Sequence, residues 1–330
     1  MTIRRFGVTR QGVEVEAIRL AAGEMSATIL TLGATLQDLR LAGTPWPLTL
    51  GSDSVAAYEG PCRWFGSLVG PVANRIGGAQ AEIAGRTCRF EANEGVSTTL
   101  HSGASGTDLQ VWRIAEATAD SCTLRLDLPD GLGGFPGNRA LSASFRLAPP
   151  GRLSLELTAT TDAPTLMNLA NHSYWNLDGG ATTEGHRLTV AADRYLAADA
   201  QGLPFPPAPV AGTRFDFRGG RDLSAAEPLD NNFCLADGPG KVALAATLRG
   251  ARGVEMRLLT DAPGLQVYDG AGIKTGHFPG LTGVPYGPRA GVALEPQFWP
   301  DAPGRAGFPS ILLRPGTHWR QRTEWQFVRL

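Results

Sequence analysis

The chain has 330 residues, with 30 Lys and Arg side chains against 31 Asp and Glu side chains, and its formal net charge is −1. This balance argues against nucleic acid or an anionic membrane as a partner, because both attract a basic excess. A hydrophobic content of 42% suffices for a sizeable core and excludes a disordered chain. The 42 glycines and 24 prolines indicate frequent turns.

Neither a membrane segment nor a secretion signal is expected. No apolar run approaches the roughly 20 residues of a membrane helix, and the charged start at residues 1–7 is not followed by a hydrophobic stretch. The cysteines form no C-x-x-C pair, so we expect buried free thiols and neither a metal site nor a disulfide. These cysteines are Cys62, Cys88, Cys122 and Cys234. A cytoplasmic location follows as an expectation.

Hydrophobic residues recur with a period of two wherever a pattern can be distinguished, which is typical of half-buried strands. Residues 80–91 predict a β-hairpin with its turn at the Ala-Gly pair in the middle. Alternating leucines predict strands within residues 122–128 and 152–158. Residues 319–330 predict a C-terminal strand with its large aromatic side chains on one face.

The pattern along the whole chain predicts an all-β protein built as a large, mostly antiparallel structure. Neither an amphipathic helix of ordinary length nor an alternation of strand and helix is found, which disfavours a Rossmann sheet and a TIM barrel. No internal repeat and no charged or serine-rich linker divides the chain. Residues 1–330 are therefore predicted to form a single domain.

Several common catalytic signatures are missing. The glycine-rich segment at residues 131–137 resembles a dinucleotide loop, but a proline stands where the third glycine should be, and no helix is predicted after it. No P-loop, no H-E-x-x-H and no G-x-S-x-G motif occurs. Phosphoryl transfer, hydride transfer and serine-triad hydrolysis are disfavoured, and no cofactor is expected.

Polar groups are concentrated around His172, where amide, imidazole, hydroxyl and phenol side chains occur within residues 167–177. Such a cluster is unfavourable to bury unless its hydrogen bonds are satisfied, and a polyol ligand can satisfy them. A polar loop that closes on itself is the alternative. His101 has the same two interpretations with less support.

Glu295 is the second unusual position, because it closes an otherwise apolar strand and is followed by Pro296. The pKa of a carboxyl in such a setting depends on desolvation and on neighbouring charges, as a general base requires. A strand-end glutamate exposed to water is the alternative. Neither Glu295 nor His172 decides the function alone.

The segments around His172 and Glu295 belong to a longer series of motifs along the chain. They are Asn74-Arg75-Ile76, Asn93, Leu100-His101-Ser102-Gly103, Gly134-Phe135-Pro136-Gly137, Asn171-His172-Ser173-Tyr174-Trp175-Asn176-Leu177, Leu229-Asp230-Asn231-Asn232-Phe233, Pro263-Gly264-Leu265-Gln266-Val267-Tyr268, Leu294-Glu295-Pro296-Gln297, Pro300-Asp301-Ala302, Phe308-Pro309-Ser310 and Leu313-Arg314-Pro315-Gly316. In this order they resemble the aldose 1-epimerase (galactose mutarotase) family. The resemblance runs from about residue 70 to the C-terminal part of the chain.

The resemblance implies a large β-sandwich of the galactose mutarotase type, a supersandwich, with a sugar bound in a cleft. It implies that Glu295 is the general base and His172 the general acid of an isomerase that interconverts α and β anomers of free aldoses without a cofactor. The family's sugar-binding positions correspond to Asn74, Arg75, His101, Tyr174, Asp230 and Gln266. The expected partner is a small sugar, and the expected assembly is a monomer or a homodimer.

Interconversion of the two anomers requires that one group removes the proton of the C1 hydroxyl while another protonates the ring oxygen. We expect the carboxylate and a protonated imidazole on opposite sides of the ring, and a nearby carboxylate to keep His172 partly protonated. Three alternatives stay open: an epimerase of a phosphorylated hexose, a glycosidase with Glu295 and Asp230 as paired carboxylates, and a non-catalytic sugar-binding protein.

The chain departs from the family pattern at three positions. Pro71 stands where an arginine is common, Ser102 where glycine is frequent, and Asn231 where histidine is often found. All three adjoin expected sugar-binding positions, so they leave the preferred aldose open.

Overall fold

A computed structural model describes residues 2–224 and 227–330. Strands account for most of the regular structure in these residues. They are β1 (Thr2–Val8), β2 (Glu14–Ala22), β3 (Met25–Leu30), β4 (Thr35–Leu41), β5 (Leu68–Val69), β6 (Arg75–Ile76), β7 (Gln80–Ile83), β8 (Arg86–Arg89), β9 (Thr99–Leu100), β10 (Arg113–Ala117), β11 (Ser121–Leu128), β12 (Arg139–Ala148), β13 (Arg152–Thr161), β14 (Thr165–Leu166), β15 (Ala170–Asn171), β16 (Tyr174–Trp175), β17 (Arg187–Val190), β18 (Arg194–Leu196), β19 (Ala208–Pro209), β20 (Arg221–Asp222), β21 (Asp230–Cys234), β22 (Ala243–Arg249), β23 (Val254–Thr260), β24 (Gly264–Tyr268), β25 (Val292–Gln297), β26 (Leu312–Leu313) and β27 (Trp319–Arg329).

Helical structure in the described residues is limited to single turns. The α-helix α1 (Val55–Tyr58) has four residues. The 3₁₀ turns are Gly77–Ala79, Gly103–Ser105, Thr107–Leu109, Leu132–Gly134 and Ala302–Gly304. In the same residues, no helix has the length and apolar character needed to cross a membrane.

The period-two prediction is confirmed in the segments that showed it best. Along β11 the leucines are buried and alternate with half-exposed or exposed polar side chains, and β13 and β27 repeat the alternation. The strands β7 and β8 form the predicted hairpin around Ala84 and Gly85. These strands form because each presents one apolar face that only a second layer can bury.

Three sheets form the body of the protein, and their ladders are antiparallel, as predicted for this all-β chain. The first has the order β1-β2-β3-β4. The second, the nine-stranded sheet, has the order β10-β11-β12-β13-β27-β23-β22-β17-β20. The third, the six-stranded sheet, has the order β16-β25-β24-β21-β18-β19.

The nine-stranded and six-stranded sheets pack face to face. Trp175 of β16 lies against Trp325 and Phe327 of β27, with ring centroids 5.7 Å apart in both pairs. Gln321 Nε2 of β27 donates to the carbonyl oxygen of Pro296 in β25 at 3.0 Å. Ile18 of the four-stranded sheet belongs to the same buried cluster as these aromatic rings. The predicted β-sandwich is therefore confirmed.

Strand register decides which side chains leave the core. In the six-stranded sheet Glu295 lies opposite Gln266, and Asp230 lies opposite Tyr268. Because directly opposite residues of antiparallel strands point to the same face, while successive residues alternate, these side chains share the face turned away from the nine-stranded sheet. Leu294 and its neighbours on the other face fill the core.

Two local expectations were wrong. Cys88 is half-exposed, whereas the other three cysteines are buried, because Cys88 lies on the hairpin β7–β8 outside the main sheets. Glu295 does not close its strand, since β25 continues to Gln297. Glu295 is also 2% exposed, which excludes the alternative of a water-exposed strand-end glutamate.

Candidate active site

The residues expected to form the site come together around one cavity of about 190 Å³, the sugar cavity. They come from the β6–β9 ladder, from the loop before β16 and β16 itself, and from strands β21, β24 and β25 of the six-stranded sheet. The expected residues that line it are Asn74, Arg75, His101, His172, Tyr174, Asp230, Gln266 and Glu295. Their individual roles stay predictions.

His172 and Glu295 form a close pair in the wall of this cavity. His172 Nε2 lies 3.5 Å from Glu295 Oε1, and both side chains are nearly fully buried. The backbone of His172 is fixed because its N–H donates to Ser67 O at 2.9 Å, while Gly66 N–H donates to His172 O at 3.0 Å. The two groups are therefore adjacent. This corrects the expectation that they lie on opposite sides of a sugar ring.

Burial is the main electrostatic influence on this pair. It lowers the pKa of His172 to about 4. Burial also raises the pKa of Glu295, with the charge of Asp230 acting in the same direction and Arg75 against it. Both shifts favour the uncharged form, because an isolated charge is poorly solvated in the interior. The direction of the His172 shift runs against the expectation that a carboxylate keeps this histidine partly protonated.

Arg75 lies at the cavity wall between two carboxylates. Its Nε and Nη2 donate to the two oxygens of Glu94 at 2.6 and 2.7 Å, while Nη1 is 4.0 Å from Asp230 Oδ2. Although burial alone would lower it, the pKa of Arg75 is raised by the Glu94 bonds and by the neighbouring carboxylates. Gln266 Nε2 donates to Asp230 Oδ1 at 2.6 Å. The site thus presents a charged guanidinium and a carboxylate that are not in direct contact.

His101 and Asn74 are held by each other's backbone. Asn74 N–H donates to His101 Nδ1 at 3.1 Å, and His101 N–H donates to Asn74 O at 3.0 Å. Since Nδ1 accepts, the neutral ring carries its proton on Nε2. Burial lowers the pKa of His101, and the charges of His172 and Arg75 act in the same direction. His101 is therefore a neutral hydrogen-bond donor.

Two aromatic rings that were not among the expected site residues, Trp64 and Tyr268, complete the wall. Trp64 lies 5.0 Å from the ring of His101 and stacks at 6.3 Å over His172. Tyr268 lines the cavity and meets Tyr174 edge-on at 6.1 Å. Trp64 has φ +75°, a left-handed conformation that is unusual for a bulky residue. Tyr268 was recognisable in principle, because it lies two positions after Gln266 on a strand.

Several buried polar atoms at the cavity have no hydrogen-bond partner within residues 2–224 and 227–330. Glu295 Oε2 and Gln266 Oε1 are two of them. Buried polar atoms are normally paired, so these acceptors can take hydrogen bonds from hydroxyl groups of a ligand. In the described part of the chain, no group of three or more His, Cys, Asp or Glu side chains is placed to hold a metal ion.

The three departures from the family pattern lie outside the lining of the sugar cavity. Ser102 Oγ exchanges hydrogen bonds with the backbone of Val72. Asn231 Nδ2 donates to Leu196 O at 3.1 Å. Pro71 follows Gly70 across a cis peptide bond. The side chains of Ser102 and Asn231 therefore bond to the backbone and do not line the cavity.

Comparison with known proteins agrees with this architecture. The model of the family described as "Aldose 1-epimerase" matches residues 16–326. The aldose 1-epimerase of Escherichia coli K12 is 33% identical over 322 residues, which cover 92% of both chains. The galactose mutarotase of Mus musculus is 32% identical over 328 residues, covering 96% of this chain and 95% of the relative.

Solved structures show the same similarity. An aldose epimerase homologue from C. elegans superposes with a TM-score of 0.89 at 29% identity, over 95% of this chain and 99% of the other. Galactose 1-epimerase from Lactobacillus acidophilus gives a TM-score of 0.84 at 29% identity, over 99% and 98% of the two chains. The fold is that of the galactose mutarotase-like β-sandwich proteins. The chain belongs to the aldose 1-epimerase family, a family of isomerases.

Proposed function

We propose that this protein is an aldose 1-epimerase, a mutarotase that interconverts the α and β anomers of free aldoses such as galactose and glucose. The observation that carries the proposal is the buried pair of His172 Nε2 and Glu295 Oε1, 3.5 Å apart in a polar cavity. The E. coli relative is an aldose 1-epimerase and the mouse relative a galactose mutarotase, which supports the same reaction here.

The adjacency of the pair suits the two oxygens that react. The anomeric hydroxyl and the ring oxygen are both bonded to C1, so two neighbouring groups can serve both. Glu295 takes the proton of the C1 hydroxyl while the C1–O5 bond breaks and His172 gives a proton to O5. Rotation about C1–C2 exposes the other face of the aldehyde. Ring closure returns the O5 proton to His172 and the Glu295 proton to the anomeric oxygen.

One proton shared by the pair is sufficient for this cycle. Burial favours neutral His172 and protonated Glu295, as the directions of their pKa shifts indicate. Moving that proton from Glu295 to His172 creates the base and the acid without changing the net charge of the cavity. Hydrogen bonds donated by sugar hydroxyls to Glu295 stabilise its carboxylate form and favour this transfer.

The surrounding groups suit an uncharged sugar. His101 donates from a neutral ring, and Asp230 and Gln266 offer acceptors. Among the described lining residues Arg75 is the one Lys or Arg, and it is already bonded to Glu94. A phosphate group would require clustered cations, so the lining favours a free aldose over a phosphorylated hexose.

The test measures the rate of mutarotation of freshly dissolved α-D-glucose and α-D-galactose by polarimetry. The spontaneous rate is subtracted. Glu295→Gln and His172→Ala should each lower the catalytic rate by about 10²–10⁴, the range for loss of a general acid or base. The exposed positions Glu14 and His277 provide matched controls, Glu14→Gln and His277→Ala, which should keep full activity.

Other outcomes would favour the alternatives. Full activity in both site variants would contradict the assigned roles. Faster turnover of glucose 6-phosphate than of glucose would favour a phosphorylated substrate, and release of reducing sugar from aryl glycosides would favour a glycosidase. Sugar binding by calorimetry without faster mutarotation would indicate a non-catalytic binding protein.

A further inference from the structure

Two opposite charges lie next to each other on the wall of the proposed sugar-binding site without forming a direct hydrogen bond. Arg75 Nη1 and Asp230 Oδ2 are 4.0 Å apart, with the Arg75 side chain 15% exposed and the Asp230 side chain 49% exposed. At this distance in a partly buried site, attraction would draw them into a direct ion pair. Such an ion pair would use the hydrogen-bonding groups of both side chains and would fill part of the space for a sugar. Something must therefore keep Arg75 in its place.

Glu94 restrains the guanidinium along one edge. Its two oxygens accept from Nε and Nη2 of Arg75 at 2.6 and 2.7 Å. This parallel, charge-assisted geometry is the strong form of an Arg–carboxylate contact. It occupies two of the three guanidinium nitrogens and leaves Nη1 directed toward the cavity. Glu94 itself does not line the cavity.

The backbone of Gly202 passes close to the same guanidinium. A Cβ atom built on Gly202 would lie 2.7 Å from both Cζ and Nε of Arg75. The glycine therefore lets the backbone approach the guanidinium plane more closely than any other residue would. Gly202 has φ +75° in a loop that is closed by Asp199, whose Oδ1 accepts from the backbone N–H groups of Gln201 and Leu203.

We propose that Glu94 and Gly202 are positioning residues that hold Arg75 away from Asp230, so that both charged groups stay available to the hydroxyls of a sugar. The proposal deepens the function proposed above and rests on the same cavity. Neither residue lines the cavity. Their loss should therefore weaken sugar binding and leave the proton-transfer chemistry of His172 and Glu295 much less affected.

The first test removes the carboxylate. Glu94→Gln keeps one acceptor and Glu94→Ala keeps none, so KM for galactose or glucose should rise in that order, to about tenfold in Glu94→Ala. The value of kcat should change less than threefold. Glu116→Gln, at an exposed position of strand β10, is the control and should leave both constants unchanged.

The second test displaces the guanidinium from the other side. Gly202→Ala places a methyl group against Arg75, whose flexible end moves more readily than the backbone, so KM should rise several-fold. Gly212 has the same φ of +75° and nothing within 4 Å of its built Cβ. Gly212→Ala therefore carries the same backbone strain without the contact, and its KM should equal that of the parent.

A third measurement separates this proposal from the proposed reaction. A 1-deoxy-aldose lacks the anomeric hydroxyl, so calorimetric binding of 1-deoxyglucose or 1-deoxygalactose reports recognition alone. Weaker binding in Glu94→Ala and Gly202→Ala, with parent-like binding in Gly212→Ala, supports the positioning role even if mutarotation is absent. Two results would overturn the positioning role while leaving the proposed mutarotase reaction intact. One is unchanged binding and unchanged KM in both variants, and the other is a loss of kcat at constant KM.

Discussion

His172 and Glu295 titrate in the same buried space, so their protonation controls the reaction jointly. Activity requires one proton on the pair, and a second proton removes the carboxylate base. Because burial lowers the pKa of His172 to about 4, that second proton binds only in strongly acidic solution. We expect kcat/KM to stay level from neutral pH downward and to fall as the pH approaches about 4.

Polarimetry across this acidic range, corrected for acid-catalysed mutarotation, checks the profile. His277→Ala, which removes an exposed histidine, should give the same curve. A fall in kcat/KM centred near 6.5, the ordinary value for a histidine, would contradict the effect of burial on His172.

The sequence predicted individual residues well where a motif carried them. All eight expected residues line the sugar cavity, including Asp230 and Gln266 from distant segments. Trp64, Glu94 and Gly202 were missed because their importance depends on contacts across the fold. The Glu94 carboxylate resembles any surface glutamate until its distance to Arg75 is known, and Gly202 resembles any turn glycine.

At the scale of elements, the turn between β11 and β12 is organised by one buried arginine. Arg139 Nε donates to Gly137 O at 3.0 Å, and Nη2 donates to Pro129 O at 2.7 Å. Its guanidinium carbon lies 5.8 Å from the ring centroid of Phe135. The Gly-Phe-Pro-Gly motif of the family resemblance thus forms a structural turn outside the sugar cavity.

Arg139→Leu should lower the free energy of unfolding by about 3 kcal/mol, because the carbonyl groups of the turn lose their donors while remaining partly buried. Chemical denaturation measures the change. Arg146 lies on the same strand and is 67% exposed, with a single ion pair to Asp120 at 3.4 Å. Arg146→Leu should therefore change stability by at most about 1 kcal/mol. An equal loss of unfolding free energy in Arg139→Leu and Arg146→Leu would contradict a special role for Arg139.

Strands were easier to predict than their ends. The leucine alternation located β11 and β13, because one face of each packs in the core. The end of β25 was misplaced because a proline usually interrupts a central strand. Here β16 pairs only with Val292 and Ala293, so Pro296 has a strand neighbour on one side only and its missing donor is tolerated. Sequence alone does not reveal that a neighbouring strand is short.

At the scale of the whole molecule, one buried cluster joins all three sheets. It contains Ile18 of β2, Trp175 of β16 and Trp325 of β27. Because the same side chains complete more than one sheet, we propose that residues 1–330 form a single domain that unfolds as one unit. The contact of Trp175 with Trp325, 5.7 Å between ring centroids, is the place to test this.

Trp325→Ala should destabilise the protein by about 3–5 kcal/mol, since it leaves a large cavity between the sheets. Denaturant unfolding followed by far-ultraviolet circular dichroism and by tryptophan fluorescence should give coincident single transitions in the parent and in the variant, with the variant's midpoint lower. Val284 is 59% exposed, so Val284→Ala should shift the midpoint by no more than the equivalent of about 0.5 kcal/mol. Two separate transitions, with only one moved by Trp325→Ala, would mean that the sheets belong to independently folding units, which the shared core argues against.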